Sequence, residues 1–297
     1  GTQSQSDAGY ATLTGAQGVA KIGNGELVVD NPMNDYQGST KVLAGMLSIS
    51  VDAANGSGAL GNSSTAAYVG DTTGNSNATF NINVSGVTMS HDLVVQAGSS
   101  GTKTIGTTIT SGSVSYLGGI TLLDSAVLSA ASGSSILFAG DFSGSGGVAL
   151  NGPGSFTLSG IGSYSGTTTL NTPVLALNGP AFGTNTLTVA TAMTLDNTSG
   201  ADITLNSCPQ VWNADFEFVG TSGLNLGGGT VTINTNRAVT VDAGTLTIGG
   251  PITGNGSLTK RGDGALSLKG SASSYKGGTT NMAGVLVVNG TASFGDG

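Results

Sequence analysis

The feature that most constrains the fold is a pair of apolar residues, two positions apart, that keeps returning at a nearly constant interval. From Ile203 onward the pairs are Ile203/Leu205, Leu224/Leu226, Leu246/Ile248, Leu266/Leu268 and Leu286/Val288, in steps of 21, 22, 20 and 20. Earlier, Leu27/Val29 to Leu47/Ile49 is a step of 20, and Phe156/Leu158 to Leu175/Leu177 a step of 19. Residues at i and i+2 of a strand point to one face. A pair at this period predicts coils stacked in register, each setting its pair over the one below.

Local signals agree. "TLTIGG" (245–250), "VTINTN" (231–236), "DITLN" (202–206) and "FNINVSG" (80–86) alternate apolar with polar residues and are bounded by turn formers. No stretch carries a sustained helical spacing. The expected fold is all-β: a right-handed parallel β-helix (β-solenoid) with about 20–22 residues per coil, running as one continuous solenoid over 1–297. Roughly 14 coils rising ~4.8 Å each would span on the order of 65 Å. A β-sandwich also explains the alternation but gives no reason for the regular step.

A second repetition is centred on tyrosine. "NDYQGSTKVLAGMLSIS" (34–50), "GSYSGTTTLNTPVLALN" (162–178) and "SSYKGGTTNMAGVLVVN" (273–289) align without insertions. Tyr36, Tyr164 and Tyr275 are each followed two residues on by glycine, at Gly38, Gly166 and Gly277. Nine residues on stand Gly45, Pro173 and Gly284, all turn formers. Repeat modules are expected near 19–61, 140–183 and 250–297.

The last module has a familiar pattern. Gly254, Gly256, Leu258, Lys260, Gly262, Gly264, Leu266, Leu268, Gly270, Tyr275, Gly277, Gly278, Thr279, Thr280 and Gly284 fall on it. This stretch resembles the autotransporter-associated β-strand repeat, also called the passenger-associated transport repeat. The match is partial around Tyr36 and around Tyr164, where the lysine is missing and Pro173 replaces the glycine. The resemblance implies an exported bacterial protein with a passenger-like β-helix, extracellular or on the cell surface. The chain begins without methionine and is expected to be a slice of a longer polypeptide. A C-terminal membrane barrel, which the resemblance would imply, is not within it.

Composition narrows the partners. Of 297 residues 52 are glycine, only 8% are charged, and the formal net charge is −8. Eight dispersed basic residues argue against nucleic acid and against an anionic membrane surface. No apolar run approaches the ~18–20 residues of a membrane span. Cys208 is the only cysteine, so no internal disulfide forms, and it is read as a small buried apolar residue.

Chemistry has few candidates. Asp215 and Glu217 are the only acidic pair at i and i+2. Glycoside hydrolysis needs two carboxylates that converge on a bond, and this pair is read instead as a solvated strand face. His91, the only histidine, adjoins Asp92, but adjacent strand residues point to opposite faces. Ligands for zinc are lacking, and no phosphate loop is found. Trp212, Phe216 and Phe218 could form a ligand-stacking strip, but are read as core filling. Thr186/Thr188, Thr230/Thr232 and Thr245/Thr247 are similar to the threonine ladders that order water against ice. Their spacings, 44 and 15, do not keep the coil period, so they are read as ordinary outward strand residues.

The expected function is that of a non-enzymatic extracellular structural segment: stalk, coat or filament, with an adhesive role open. The alternative is a carbohydrate-active β-helix enzyme or glycan-binding module. No cofactor or metal is expected. Expected contacts are end-to-end self-association and cell-surface or glycan contacts. The triplet Arg261-Gly262-Asp263 places Gly262 at a repeat position and Arg261 and Asp263 at free ones, and is read as a turn rather than a receptor ligand.

Overall fold

A computed structural model describes residues 1–5, 11–62 and 64–289, and it contains strands and no helix among them. Residues 290–297 of the module expected at 250–297 lie outside the described residues. The chain divides into two compact units, Gly1–Phe156 and Thr157–Gly297. Each is a stack of parallel coils.

In the first unit one sheet stacks Thr2–Ser4, Glu26–Val29, Gly45–Ile49, Ala78–Ile82, Lys103–Thr107, Ala126–Ala130 and Val148–Asn151, all parallel. A second stacks Val19–Lys21, Thr40–Val42, Ala67–Val69, Leu93–Val95, Ile120–Leu122 and Phe142–Gly144. The third sheet contains Thr88–Met89, Gly112–Tyr116 and Ser134–Phe138. Leu27 pairs with Leu47 and Val29 with Ile49, so the recurring pair sits coil on coil. A file of rings fills the interior: Tyr116 stacks on Phe138 at 5.0 Å and meets Phe80 edge-on at 6.2 Å.

Several coils of this unit are longer than the expected period: Ala78 pairs with Lys103, 25 positions on, Leu93 with Ile120, 27 on, and one coil is longer still. Met46 pairs with Thr79, 33 positions on. The extra length holds an antiparallel hairpin, with Ala53 paired to Gly58 and Ala54 to Ser57 around Asn55-Gly56. Asn-Gly supplies the positive φ that a tight hairpin turn needs, and Gly56 has φ 85°. Ala53 also pairs with Met89, so the hairpin occupies the end of the third sheet. A turned-back hairpin there covers an otherwise bare strand edge.

In the second unit the ladder read from the sequence is paired residue by residue. Ile203, Leu224, Leu246, Leu266 and Leu286 are successive partners. Leu246 and Leu266 are fully buried. Another sheet stacks Val174–Leu177, Met193–Asn197, Phe216–Phe218, Arg237–Val241, Leu258–Arg261 and Thr279–Asn281. The remaining one stacks Thr168–Asn171, Leu187–Val189, Gln210–Trp212, Val231–Thr232 and Ile252–Thr253.

The threonine spacing is corrected by this register. Thr188 pairs with Val211 and Val211 with Thr232, so the separation of 44 is two coils with Pro209 and Val211 between. Thr245 and Thr247 lie on a different sheet, in Thr245–Ile248. The irregular spacing along the chain is two files counted as one.

Candidate functional site

The chemically capable side chains lie at the turns and on the groove beside them. Lys260 has no solvent exposure. Its Nζ donates to the carbonyls of Arg261 and Gly262 at 2.7 Å each and of Ala283 at 3.0 Å. Lys21 repeats this arrangement with the carbonyls of Ile22 at 2.9 Å, Gly23 at 2.6 Å and Ala44 at 2.9 Å. Each lysine thus closes its own turn and fastens it to the turn one coil on. Burial lowers the pKa of both ammonium groups, with Asp263 and Asp242 opposing this at Lys260.

The glycines nine residues after the tyrosines make room for that lysine. Gly45 and Gly284 have φ 71° and 66°. A Cβ on Gly45 would lie 2.3 Å from the Gly23 oxygen and 2.7 Å from Lys21 Nζ, and one on Gly284 would lie 2.5 Å from the Gly262 oxygen. In the middle copy Leu150 stands two residues before the turn glycine, Gly152, where Lys21 and Lys260 precede Gly23 and Gly262, and Pro173 takes the later glycine position: the two residues are lost together. Lys21 itself escaped the sequence reading. It precedes Tyr36 by the same interval at which Lys260 precedes Tyr275.

Tyr36, Tyr164 and Tyr275 are all buried. Tyr36 shares a hydrogen bond of 2.6 Å with Thr40, Tyr164 one of 2.6 Å with Thr168, and Tyr275 one with Thr279. Threonine four residues after tyrosine is visible in all three copies as a recurrence. Burial raises the pKa of each phenol, that of Tyr36 to about 12, with the threonine bond opposing. Gly38 backs onto Gly18 and Gly277 onto Ser257, where a Cβ would come within 2.1 and 2.6 Å of the backbone nitrogen. Gly166 is half-buried. Two tyrosines are roofed by a later glycine. A Cβ on Gly61 would lie 2.5 Å from the Tyr36 carbonyl oxygen, and one on Gly183 would lie 2.3 Å from that of Tyr164.

Scattered carboxylates turn out to be brackets between coils. The backbone N–H groups of Thr88, Gly119, Thr221, Gly223 and Ala238 donate to Asp52, Asp92, Asp196, Asp202 and Asp215, at 2.8, 2.7, 3.0, 2.9 and 3.0 Å. A turn leaves amides that its own strand ladder cannot satisfy, and an acidic residue on the neighbouring coil accepts them. Lys103, buried, reaches Asp124 at 2.7 Å. His91 lies 2.9 Å by Nε2 from the Ala54 oxygen and 3.3 Å by Nδ1 from that of Thr65. Its Nε2–H donates to the Ala54 carbonyl and fastens the hairpin, and Asp92 serves Gly119 instead of forming a dyad.

Asp215 and Glu217 do line one open groove of about 350 Å³, with Thr194, Thr240 and Arg261. Asp215 is engaged there by Ala238 and by Arg237 at 3.5 Å. The Glu217 carboxyl is raised, first by its hydrogen bond with Asp242 and then by burial. No group of three or more metal-capable side chains occurs among the described residues. Trp212, Phe216 and Phe218 are buried, with Trp212 edge-on to Phe216 at 5.0 Å and its Nε1 donating to Gln210 at 3.1 Å. Cys208 is buried, which pushes its thiol pKa up.

Arg261 and Asp263 are exposed, while the carbonyls of Arg261 and Gly262 belong to the lysine clamp. The same turn in the first copy reads Ile22-Gly23-Asn24. Leu266 and Leu268 are buried beyond it, and Gly264 offers its oxygen 2.6 Å from where a Gly284 Cβ would lie.

The coils and their clamps define a parallel β-solenoid. Residues 19–49, 150–177 and 258–292 match the family described as the passenger-associated-transport-repeat, and the chain carries three such repeats. Over 120 residues it is 37% identical to the protein named "Adhesin BmaC autotransporter" of Brucella suis biovar 1 (strain 1330). That alignment covers 40% of this chain and 3% of the relative. No solved structure matches. The chain is accordingly a bacterial protein of the cell surface or extracellular space. No helix among the described residues is long and apolar enough to cross a membrane.

Proposed function

We propose that this chain is a non-enzymatic structural segment of an adhesive surface passenger. Its coils supply length, and its outward side chains supply the contact surface. The observation that carries the reading is the employment of the candidate catalytic groups. Asp215 accepts from the Ala238 N–H, His91 donates to the Ala54 carbonyl, and Lys260 donates to three turn carbonyls, so backbone engages each of them. The Brucella suis relative is named an adhesin, which adds support for adhesion. End-to-end association belongs to the same reading, because Thr2–Ser4 and Thr279–Asn281 each stand at the end of a sheet.

The alternative, a carbohydrate-active protein, is favoured by one feature: Asp215 and Glu217 line a common groove. A glycan panel with product detection separates the two. The structural reading expects no oligosaccharide release. Release that disappears in Asp215→Asn would overturn it. Electron microscopy at high protein concentration showing only monomers would remove the end-to-end part.

A further inference from the structure

The sheet Thr168–Asn171 to Ile252–Thr253 presents an ordered outer face. Thr169, Thr188, Val211, Thr232 and Thr253 are successive partners and form one outward file. Two residues earlier runs a second file: Thr167, Thr186, Pro209, Thr230 and Pro251. Backbone bonds hold its register, from Leu187 N to the Pro209 oxygen, Gln210 N to the Thr230 oxygen and Val231 N to the Pro251 oxygen. On the other flank stand Asn213, Asn234 and Asn255, all exposed. Rungs of a sheet repeat about every 4.8 Å, and residues i and i+2 lie about 6.6 Å apart. The face is therefore a two-dimensional array of seven threonines, one valine and two prolines at regular intervals.

Its chemistry is uniform. No position in these files is charged or aromatic, in a chain of net charge −8. Threonine and valine share a shape, so the methyl file continues through Val211, while Pro209 and Pro251 put ring methylenes at two places of the second file. The hydroxyls of Thr232 and Thr253 lie 3.5 Å apart. Methyl groups at fixed intervals confine first-shell water without binding it, and hydroxyls between them anchor that water by hydrogen bonds. Water held on this face takes the spacing of the array, and the oxygen lattice of hexagonal ice has a repeat close to the shorter of the two intervals. A charged side chain would hold a hydration shell of its own and break the match. Complementarity of charge thus points to a neutral lattice. The lack of aromatic rings, on which sugars stack, puts a glycan second.

We infer that this face binds the surface of crystalline ice. The test is partition of the purified protein into slowly grown ice, together with the shape of single ice crystals in its presence. The protein is expected to enrich in the ice fraction and to facet the crystals. Thr188→Lys and Thr232→Lys, singly and together, are expected to abolish both effects with unchanged melting. Thr240→Lys, on the neighbouring sheet, is expected to leave them intact. Should a lysine variant fail to fold, Thr232→Ser removes one methyl group and is expected to weaken partition. Exclusion of the wild type from ice would overturn the inference, as would undiminished partition of the folded double variant. Retention on crystalline cellulose or chitin with exclusion from ice would also overturn it and assign the face to a glycan.

Discussion

The Lys260 ammonium lies 3.0 Å from the carbonyl oxygen of Ala283, one coil further along. This single contact couples two turns that the strand ladders alone would leave side by side. It also explains why the repeat needs glycine at 284, since any side chain there would run into the turn that the lysine closes.

Lys260→Met keeps the apolar stem and removes the donor to three carbonyls. A buried acceptor left unpaired costs about 1–3 kcal/mol, so the denaturation midpoint should fall clearly. Arg261→Ala, one residue away and exposed, should stay within about 0.5 kcal/mol. Lys21→Met should behave like Lys260→Met. Wild-type stability in both lysine variants would sink the clamp.

Gly56 and Gly61 give a matched pair. Both have positive φ, at 85° and 72°. A Cβ at Gly56 meets nothing closer than 4.0 Å, whereas one at Gly61 would lie 2.5 Å from the Tyr36 carbonyl oxygen. Gly56→Ala should lose about 1–2 kcal/mol from backbone strain alone. Gly61→Ala should lose considerably more and shift the fluorescence of the buried tyrosines. Equal losses in thermal unfolding would show that the roof over Tyr36 is loose.

Alkaline pH should unfold the coils through their tyrosines. The Tyr36 phenol is raised from 10.0 to about 12 by burial. A group whose folded pKa is raised contributes stability that is fully present below its unfolded pKa and is lost as pH rises through the folded one. Stability should therefore decline from about pH 10 towards pH 12. Tyr36→Phe should blunt that decline while lowering stability near neutrality by about 1 kcal/mol through the lost Thr40 bond. The ultraviolet tyrosinate signal should rise together with the loss of β circular dichroism. Full ionisation of a still-folded protein would contradict this.

Acid should release a different contact. The Lys103 hydrogen bond holds the Asp124 carboxyl below the usual carboxylate range. Its folded pKa is depressed, so its contribution is present above the unfolded pKa and is lost as pH falls through the folded value. Asp124→Asn should remove that part of the acid sensitivity, visible as a flatter dependence of melting temperature on pH below the carboxylate range. Lys103 also donates to the Ser99 carbonyl, and a pH profile identical to wild type would show that this bond satisfies it without Asp124.

Much of this protein can be read from one dimension. The ladder from Ile203 to Leu286 emerges because an apolar pair must return whenever a coil returns to the core. Tyrosine with glycine two residues on, and the Lys260 turn, emerge because repeats preserve local spacing. Lys21 and the threonines after each tyrosine carry the same local signal and could have been found by it. The acidic brackets could not. Asp52 serves Thr88, 36 residues on, and Asp202 serves Gly223, 21 residues on. Their partners are set by how long each coil happens to be, which no fixed spacing records.

By itself, then, the sequence determined that the chain is all-β, that its second unit coils with a short and nearly constant period, and that three of its modules share a tyrosine followed two residues on by glycine. Burial of apolar pairs and the backbone demands of tight turns are local properties, and they leave regular marks. Only the tertiary structure decided which residues stand over one another. Thr188 and Thr232 became one file because coils of unequal length still stack in register. Lys260 became a clamp because its turn meets Ala283 and not solvent. Register between coils follows the sum of every strand and loop between two points, so one hairpin at Asn55-Gly56 is enough to hide it from a count along the chain.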